Sequence, residues 1–235
     1  MCKSNFIHVC FVIDESGSMT GTEGDVIGGF KKVIDEQKAN DKGTCSVSYF
    51  KFSSSVEEVF IGKDVNDVEY LDGKYNPHGM TALFDGVGMA IDKVGKWLDE
   101  MKEEDKPEKN LIVIMTDGGE NYSREYSSSK VKEMIKHQED KYSWEFIYMG
   151  SDLTDANDAN SLGFSTKLYA SKADYSMNYD LINVALTSYR GDCGDAGSKS
   201  RRFSKILSEA AVDSTVKYAE KNGLNADELL KNDNE

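Results

Sequence analysis

The sequence predicts an α/β fold: a doubly wound, mostly parallel six-stranded sheet with one antiparallel edge strand, plus a C-terminal helical extension. Three observations carry that prediction. Residues 6–13 and 111–115 are continuous apolar runs, the pattern of parallel strands buried on both faces. Between them Leu83, Val87, Ala90, Ile91, Val94, Trp97, Leu98 and Met101 recur at helical spacing. Strand-like and helix-like segments then alternate to residue 189, which calls for crossover helices on both faces of a sheet.

The elements follow in order. The first apolar run ends in Asp14-Glu15-Ser16-Gly17-Ser18-Met19. Residues 22–25 offer helix-start chemistry, and Val26, Phe30, Val33 and Ile34 mark an amphipathic helix ending near residues 40–43. Its N-terminus falls close to Ser18, where a helix dipole favours an anionic group. Residues 45–52 and 56–61 read as a hairpin across Ser53-Ser54-Ser55. Residues 62–76 are polar and read as a loop with one short helical turn. Pro77 and Gly79 punctuate the next loop, and the long helix from Leu83 stops before Pro107. After the run at 111–115, Val131, Met134 and Ile135 mark another helix. Residues 144–149 form a strand, 155–162 a short helix, 164–170 a last strand and 174–189 a closing helix.

Past residue 189 the composition changes. The chain divides into a domain over 1–189, a glycine-rich linker with a basic end over 190–203, and a helical tail over 204–235. Ile206, Leu207, Ala210 and Ala211 carry the helical character of that tail.

Composition narrows the function classes. No apolar run approaches the roughly 18–20 residues of a spanning helix, so no membrane association is expected. The N-terminus lacks a signal-peptide pattern, and the expected location is cytoplasmic, with reduced thiols. Cys2, Cys10, Cys45 and Cys193 have no C-x-x-C spacing, which argues against a zinc knuckle. Cys10 reads as a small buried hydrophobe. A net charge of -14, with no basic-aromatic stripe, argues against nucleic acid as a partner. His8, His78 and His137 lie on different elements and read as structural or surface residues rather than ligands.

The chemistry gathers at strand ends. Asp14, Ser16 and Ser18 occupy alternate positions, which share a face in an extended segment. Gly17 lets the backbone bend between the serines. Hard oxygen ligands at the C-terminal end of a strand point to a Mg2+-type site. Two more loops belong with it: Gly79-Met80-Thr81-Ala82-Leu83 before the long helix, and Thr116-Asp117-Gly118 after the central strand.

On these three motifs the chain resembles the von Willebrand factor A domains, the group that includes integrin I domains. The resemblance covers roughly residues 6–189. It implies a Rossmann-like vWA fold with a complete metal-ion-dependent adhesion site made of Asp14, Ser16, Ser18, Thr81 and Asp117. By that resemblance Ser16 and Ser18 bind Mg2+ directly, with Mn2+ or Ca2+ as alternative metals. Thr81 and Asp117 exchange direct and water-mediated roles, and Asp14 orients waters and hydroxyls. A partner protein's Asp or Glu fills the open coordination position. The implied protein is a non-enzymatic, metal-dependent protein-binding module, like the stand-alone A domains of bacteria and their phages.

Neighbouring residues receive plainer readings. Glu15 points away by alternation and is expected at the surface. Asp25, Glu120 and Asn121 read as cap or turn residues, His78 as rim, and Asp152 as a helix cap. Arg190-Gly191-Asp192, the tripeptide that integrins recognise, is read as coincidence. Two alternative functions remain. A Mg2+-dependent phosphohydrolase would use Asp14 as nucleophile, but Ser16 stands where such enzymes want a second aspartate. Self-assembly would use the tail, with a carboxylate such as Glu209 reaching a metal site.

Overall fold

The structure, a computed structural model, describes residues 5–150, 161–164, 166–169 and 175–232. Its sheet contains β1 (Phe6–Asp14), β2 (Thr44–Phe52), β3 (Val56–Asp64), β4 (Lys109–Thr116), β5 (Glu145–Gly150) and β6 (Thr166–Tyr169). Their spatial order is β3-β2-β1-β4-β5-β6, and every pairing is parallel except β2 with β3. The helices are α1 (Glu23–Ala39), α2 (Leu83–Asp99), α3 (Ser128–Tyr142), α4 (Tyr175–Gly191), α5 (Ala196–Asn222) and α6 (Ala226–Asn232). This is the doubly wound sheet that the sequence predicts, with its antiparallel edge strand. The expected short helix over 155–162, apart from its last two residues, and its cap Asp152 lie outside the described residues.

The chain winds from β1 outward to β2 and β3, then returns past β1 to β4 and continues outward on the other side. The strand order therefore reverses between β1 and β4. Loops at the C-terminal ends of those two strands diverge and leave a crevice, where ligands bind in open α/β sheets.

Alternation along β1 feeds both faces. Ile7, Val9, Phe11 and Ile13 pack with α1 and α4 residues such as Phe30, Val33, Ile182 and Leu186. Cys10 and Val12 pack with α2 residues such as Leu83, Val87 and Ile91. The two helical layers explain why the central runs are apolar without a break. Cys10 is fully buried, as its place in the strand predicts.

Helix α1 approaches α4 so closely that only glycine fits at residue 29. A Cβ there would lie 2.0 Å from two ring carbons of Tyr179. Tyr179 is itself buried, and its hydroxyl donates to Met115 Sδ at 3.0 Å. Gly29→Ala should destabilise the fold by about 2–3 kcal/mol, because the ring has no free space to enter. Gly28→Ala is the matched control, since a Cβ there meets nothing within 4 Å. It should stabilise by about 0.5–1 kcal/mol through helix propensity. Urea denaturation of both variants reads the difference.

Two expectations about boundaries need correction. Strand β3 runs to Asp64 rather than stopping at residue 61. A register shift opposite Tyr49 and a left-handed Gly62 (φ +61°) let it continue, and Ser48 Oγ accepts the Gly62 N–H at 3.0 Å. Helix α5 begins at Ala196, inside the segment read as linker, rather than at residue 204. Asp195 caps it by accepting the Ser198 N–H at 3.0 Å, a local signal that the surrounding glycines obscure.

Helix α5 is also more than an appendage. Phe203, Leu207 and Ala210 belong to the same core as β1 and α4, and the Phe203 ring meets Tyr189 edge-on at 5.6 Å. Ser214 Oγ donates to Tyr169 O at 2.8 Å and lies 3.0 Å from Tyr169 N, so the helix occupies polar groups of edge strand β6. Lys199, buried, reaches Asn5 Oδ1 at 2.8 Å and ion-pairs with Glu108. Glu209 lies on the exposed side of α5, 3.6 Å from Lys205. Among the described residues no helix is long and apolar enough to cross a membrane.

Candidate functional site

The crevice between β1 and β4 collects the residues that the three motifs contribute. Asp14 ends β1 and is fully buried. Ser16 follows in extended conformation, and Ser18 lies in a short 3-10 turn over Gly17–Met19. The serines therefore converge through a tight turn, not through strand alternation. Met19 is buried in the core and pins that turn from below. Ser16 Oγ and Ser18 Oγ stand 3.0 Å apart, and Ser18 Oγ donates to Asp117 Oδ1 at 2.6 Å.

Thr81 enters from the loop before α2. Its N–H donates to Asn121 Oδ1 at 2.9 Å, and its carbonyl accepts from the N–H groups of Asn121 and Tyr122. Gly79, with φ +78°, lets that loop fold back so that its carbonyl accepts the Gly17 N–H at 3.1 Å. A methyl group on Gly118 would lie 3.0 Å from Ser18 Oγ and 3.5 Å from Thr81 Oγ1. Gly118 is thus the backbone floor against which both hydroxyls rest. All five sequence-predicted residues come to one sheet edge, and only Ser18 is exposed.

The electrostatics are those of crowded oxygen. Burial pushes the Asp14 carboxyl up to about 6, and the nearby Asp117 charge adds to that effect. Hydrogen bonds from Thr116 and Ser16 oppose it: Thr116 Oγ1 donates to Asp14 Oδ2 at 2.6 Å and Ser16 N to Asp14 Oδ1 at 2.7 Å. The donor set of two carboxylates and three hydroxyls, with no nitrogen or sulfur, fits a hard divalent cation. Among the described residues no group of three or more His, Cys, Asp or Glu is placed to hold a metal ion.

The surroundings correct one reading and refine others. Glu15 is buried, not surface-exposed. Its carboxylate accepts the Asn76 N–H at 2.6 Å and lies 3.2 Å from Lys51 Nζ, so it anchors the loop carrying Pro77 to the end of β1. Alternation failed because the chain turns directly after Asp14. Glu120 accepts from the Phe84, Tyr122 and Ser123 N–H groups and so caps α2. His78 lies on the exposed rim, its Nδ1 2.7 Å from Asn76 O. Sequence reasoning missed Thr116, which orients Asp14, and Asp85. The Asp85 carboxylate accepts the N–H groups of Arg124, Glu125 and Tyr126 and shapes the loop after Asp117. The hydroxyl directly after the apolar run was a signal for Thr116; nothing local marked Asp85.

Residues 8–187 match the family model described as von Willebrand factor type A domain. The chain belongs to that family. Its VWA domain is similar in structure to the vWF domain of the type V pili tip protein Mfa5 from Porphyromonas gingivalis. There the TM-score is 0.59 at 14% identity, covering 80% of this chain and 98% of that one. It is also similar to proximal thread matrix protein 1 from the mussel byssus, with a TM-score of 0.52 at 17% identity. That likeness covers 77% of this chain, which spans under half, 46%, of the mussel chain. At such identities the likeness concerns the fold. No curated protein matches the chain. VWA domains mediate protein–protein interaction, often bind a divalent metal, and are mostly non-enzymatic adhesion or structural modules.

Proposed function

We propose that this VWA domain captures a partner protein through a divalent cation of the Mg2+ type, held by Asp14, Ser16, Ser18, Thr81 and Asp117. One observation carries the reading. Ser18 Oγ sits 3.0 Å from Ser16 Oγ and 2.6 Å from Asp117 Oδ1, which links the β1 turn to the β4 loop through side-chain oxygens alone. Thr81 Oγ1 lies against the same Gly118 floor. A cation bound there supplies a Lewis-acidic position that a carboxylate from another protein can complete. The chain's own residues do the rest. Thr116 and the Ser16 N–H fix Asp14, Asn121 fixes Thr81, and Gly79 holds the serine turn through its carbonyl. The Ser18 hydroxyl and the Asp117 carboxylate that accepts from it both belong to the oxygen set for the cation, so we read the site as binding rather than catalytic.

Calorimetric titration of Mg2+ and Mn2+ into the metal-stripped chain tests the reading. Wild type should bind one equivalent, and Asp14→Ala or Asp117→Ala should lose measurable binding while remaining folded by circular dichroism. Unchanged affinity in Asp117→Ala would overturn the assignment.

A further inference from the structure

Three reactive side chains meet at the sheet edge opposite the crevice, where β1 and β4 begin. Asn5 directly precedes β1, Glu108 directly precedes β4, and Lys199 lies near the start of α5. Lys199 Nζ donates to Asn5 Oδ1 at 2.8 Å and to the Glu108 carboxylate. Asn5 is 7% exposed and Lys199 only 3%. The Tyr189 ring covers the amine on one side, its centroid 5.1 Å from Nζ.

The Asn5 amide is held in one orientation. Its Nδ2 donates to Arg190 O at 2.6 Å and to Asp192 O at 2.7 Å, which leaves Oδ1 to face the lysine. The Glu108 backbone N–H donates to Phe6 O at 2.8 Å and keeps the carboxylate beside the start of β1. As structure, these contacts are an ion pair with a hydrogen-bonded amide. As chemistry, the same three groups are an amine nucleophile, an acyl carbon with its leaving group, and a proton carrier. The amine already touches the carbonyl that it would attack, so orientation is supplied by the fold.

We propose that Lys199 and Asn5 join in an isopeptide bond, with Glu108 as the proton carrier. Nζ gives one proton to Glu108 and attacks Asn5 Cγ, forming the Nζ–Cγ bond. Glu108 passes that proton to Nδ2 and takes a second one from Nζ. The Cγ–Nδ2 bond then breaks and Nδ2 leaves as ammonia, between the two carbonyls that held it. The products are a secondary amide, ammonia and a protonated Glu108; no oxidant or cofactor enters. The bond ties α5 covalently to the start of β1 and does not depend on the proposed cation site.

Intact-mass spectrometry of the denatured full chain is the test. Wild type should weigh about 17 Da less than its sequence requires, the mass of the lost ammonia. Trypsin should release residues 4–31 joined to residues 191–201, because an acylated Lys199 is no longer a cleavage site. Lys199→Arg, Asn5→Ala and Glu108→Gln should each show the full mass and no joined peptide. A wild type of full mass, a deficit without the joined peptide, or a joined peptide that survives Glu108→Gln would each overturn the proposal. The wild-type mass and peptide decide the matter if a variant fails to fold.

Discussion

Replacing Arg190 with alanine should destabilise the fold by about 2–3 kcal/mol, through the loss of charge-assisted hydrogen bonds that tie α4 to the end of α1. Arg190 ends α4 and is only 3% exposed. Its guanidinium spends its donors on the end of α1. Nε donates to Lys42 O at 2.8 Å. Nη1 donates to Gln37 O at 2.6 Å and to Gln37 Oε1 at 3.0 Å. Nη2 donates to Asn40 O at 2.8 Å and to Gly43 O at 3.2 Å. Gln37 O lies in the last turn of α1, where helix carbonyls lack intrahelical partners, while Asn40, Lys42 and Gly43 belong to the cap and the loop that follows. Alanine would leave the buried Gln37 oxygens without these donors and release the more exposed loop carbonyls to water. Arg190→Lys keeps the charge but not the planar fork, and should still lose about half of the effect or more. Urea unfolding measures both variants; a loss below about 1 kcal/mol for Arg190→Ala would refute this role. The same geometry explains the Arg-Gly-Asp tripeptide. Its arginine is a buried bolt between α1 and α4, and Asp192 pairs with Arg202 on α5. The coincidence expected from sequence has a structural cause.

The second large effect is an acid-sensitive stability that His8 imposes. His8 lies in β1 with no solvent exposure. Its Nδ1 is 2.8 Å from Ser46 Oγ, its Nε2 3.1 Å from Ser48 Oγ, and its ring packs 4.7 Å from that of Trp97. Burial disfavours the imidazolium and lowers the group from 6.5 to about 3, against a smaller opposing effect of the Ser46 hydrogen bond. The folded chain therefore holds a neutral ring where the unfolded chain already binds a proton. The contribution is complete above pH 6.5 and is lost progressively as pH falls towards 3. At about 1.4 kcal/mol per pH unit, the loss between pH 6.5 and 4.5 amounts to about 2–3 kcal/mol. His8→Gln replaces the titrating ring with a neutral side chain that still offers a donor and an acceptor. Its stability should fall less steeply over that window by the same amount. Equal slopes for the two proteins, from urea unfolding at matched pH, would contradict this assignment.

Both residues illustrate where sequence reading reached its limit. His8 is the structural one of the three histidines that the sequence leaves as structural or surface residues. Its neutral state depends on Ser46 and Ser48 of β2, which the parallel register places beside it. Arg190 carried no local mark at all. Its partners lie roughly 150 residues upstream and meet it only when α4 packs on α1.

The same division runs through the proposed cation site. Asp14, Ser16, Ser18, Thr81 and Asp117 each stand at the end of a strand-like run or the start of a helix-like one, which is where sequence alone places them. Their convergence on the β1–β4 crevice follows from the strand order, which reverses there. The turn at Ser18 and the burial of Glu15 were not legible, because alternation applies only while the chain stays extended.

By itself, then, the sequence determined the order of strands and helices, the two-sided burial of β1 and β4, and the residues available to hold a cation. Those properties rest on local periodicity and on side-chain chemistry that each segment carries alone. Tertiary structure alone decided that Thr116 orients Asp14, that Glu15 anchors a loop, and that Arg190 is a buried bolt. It also decided that α5 is part of the core. Each of these rests on contacts between residues far apart in the chain, where burial and pairing are set by packing and by no pattern within a segment.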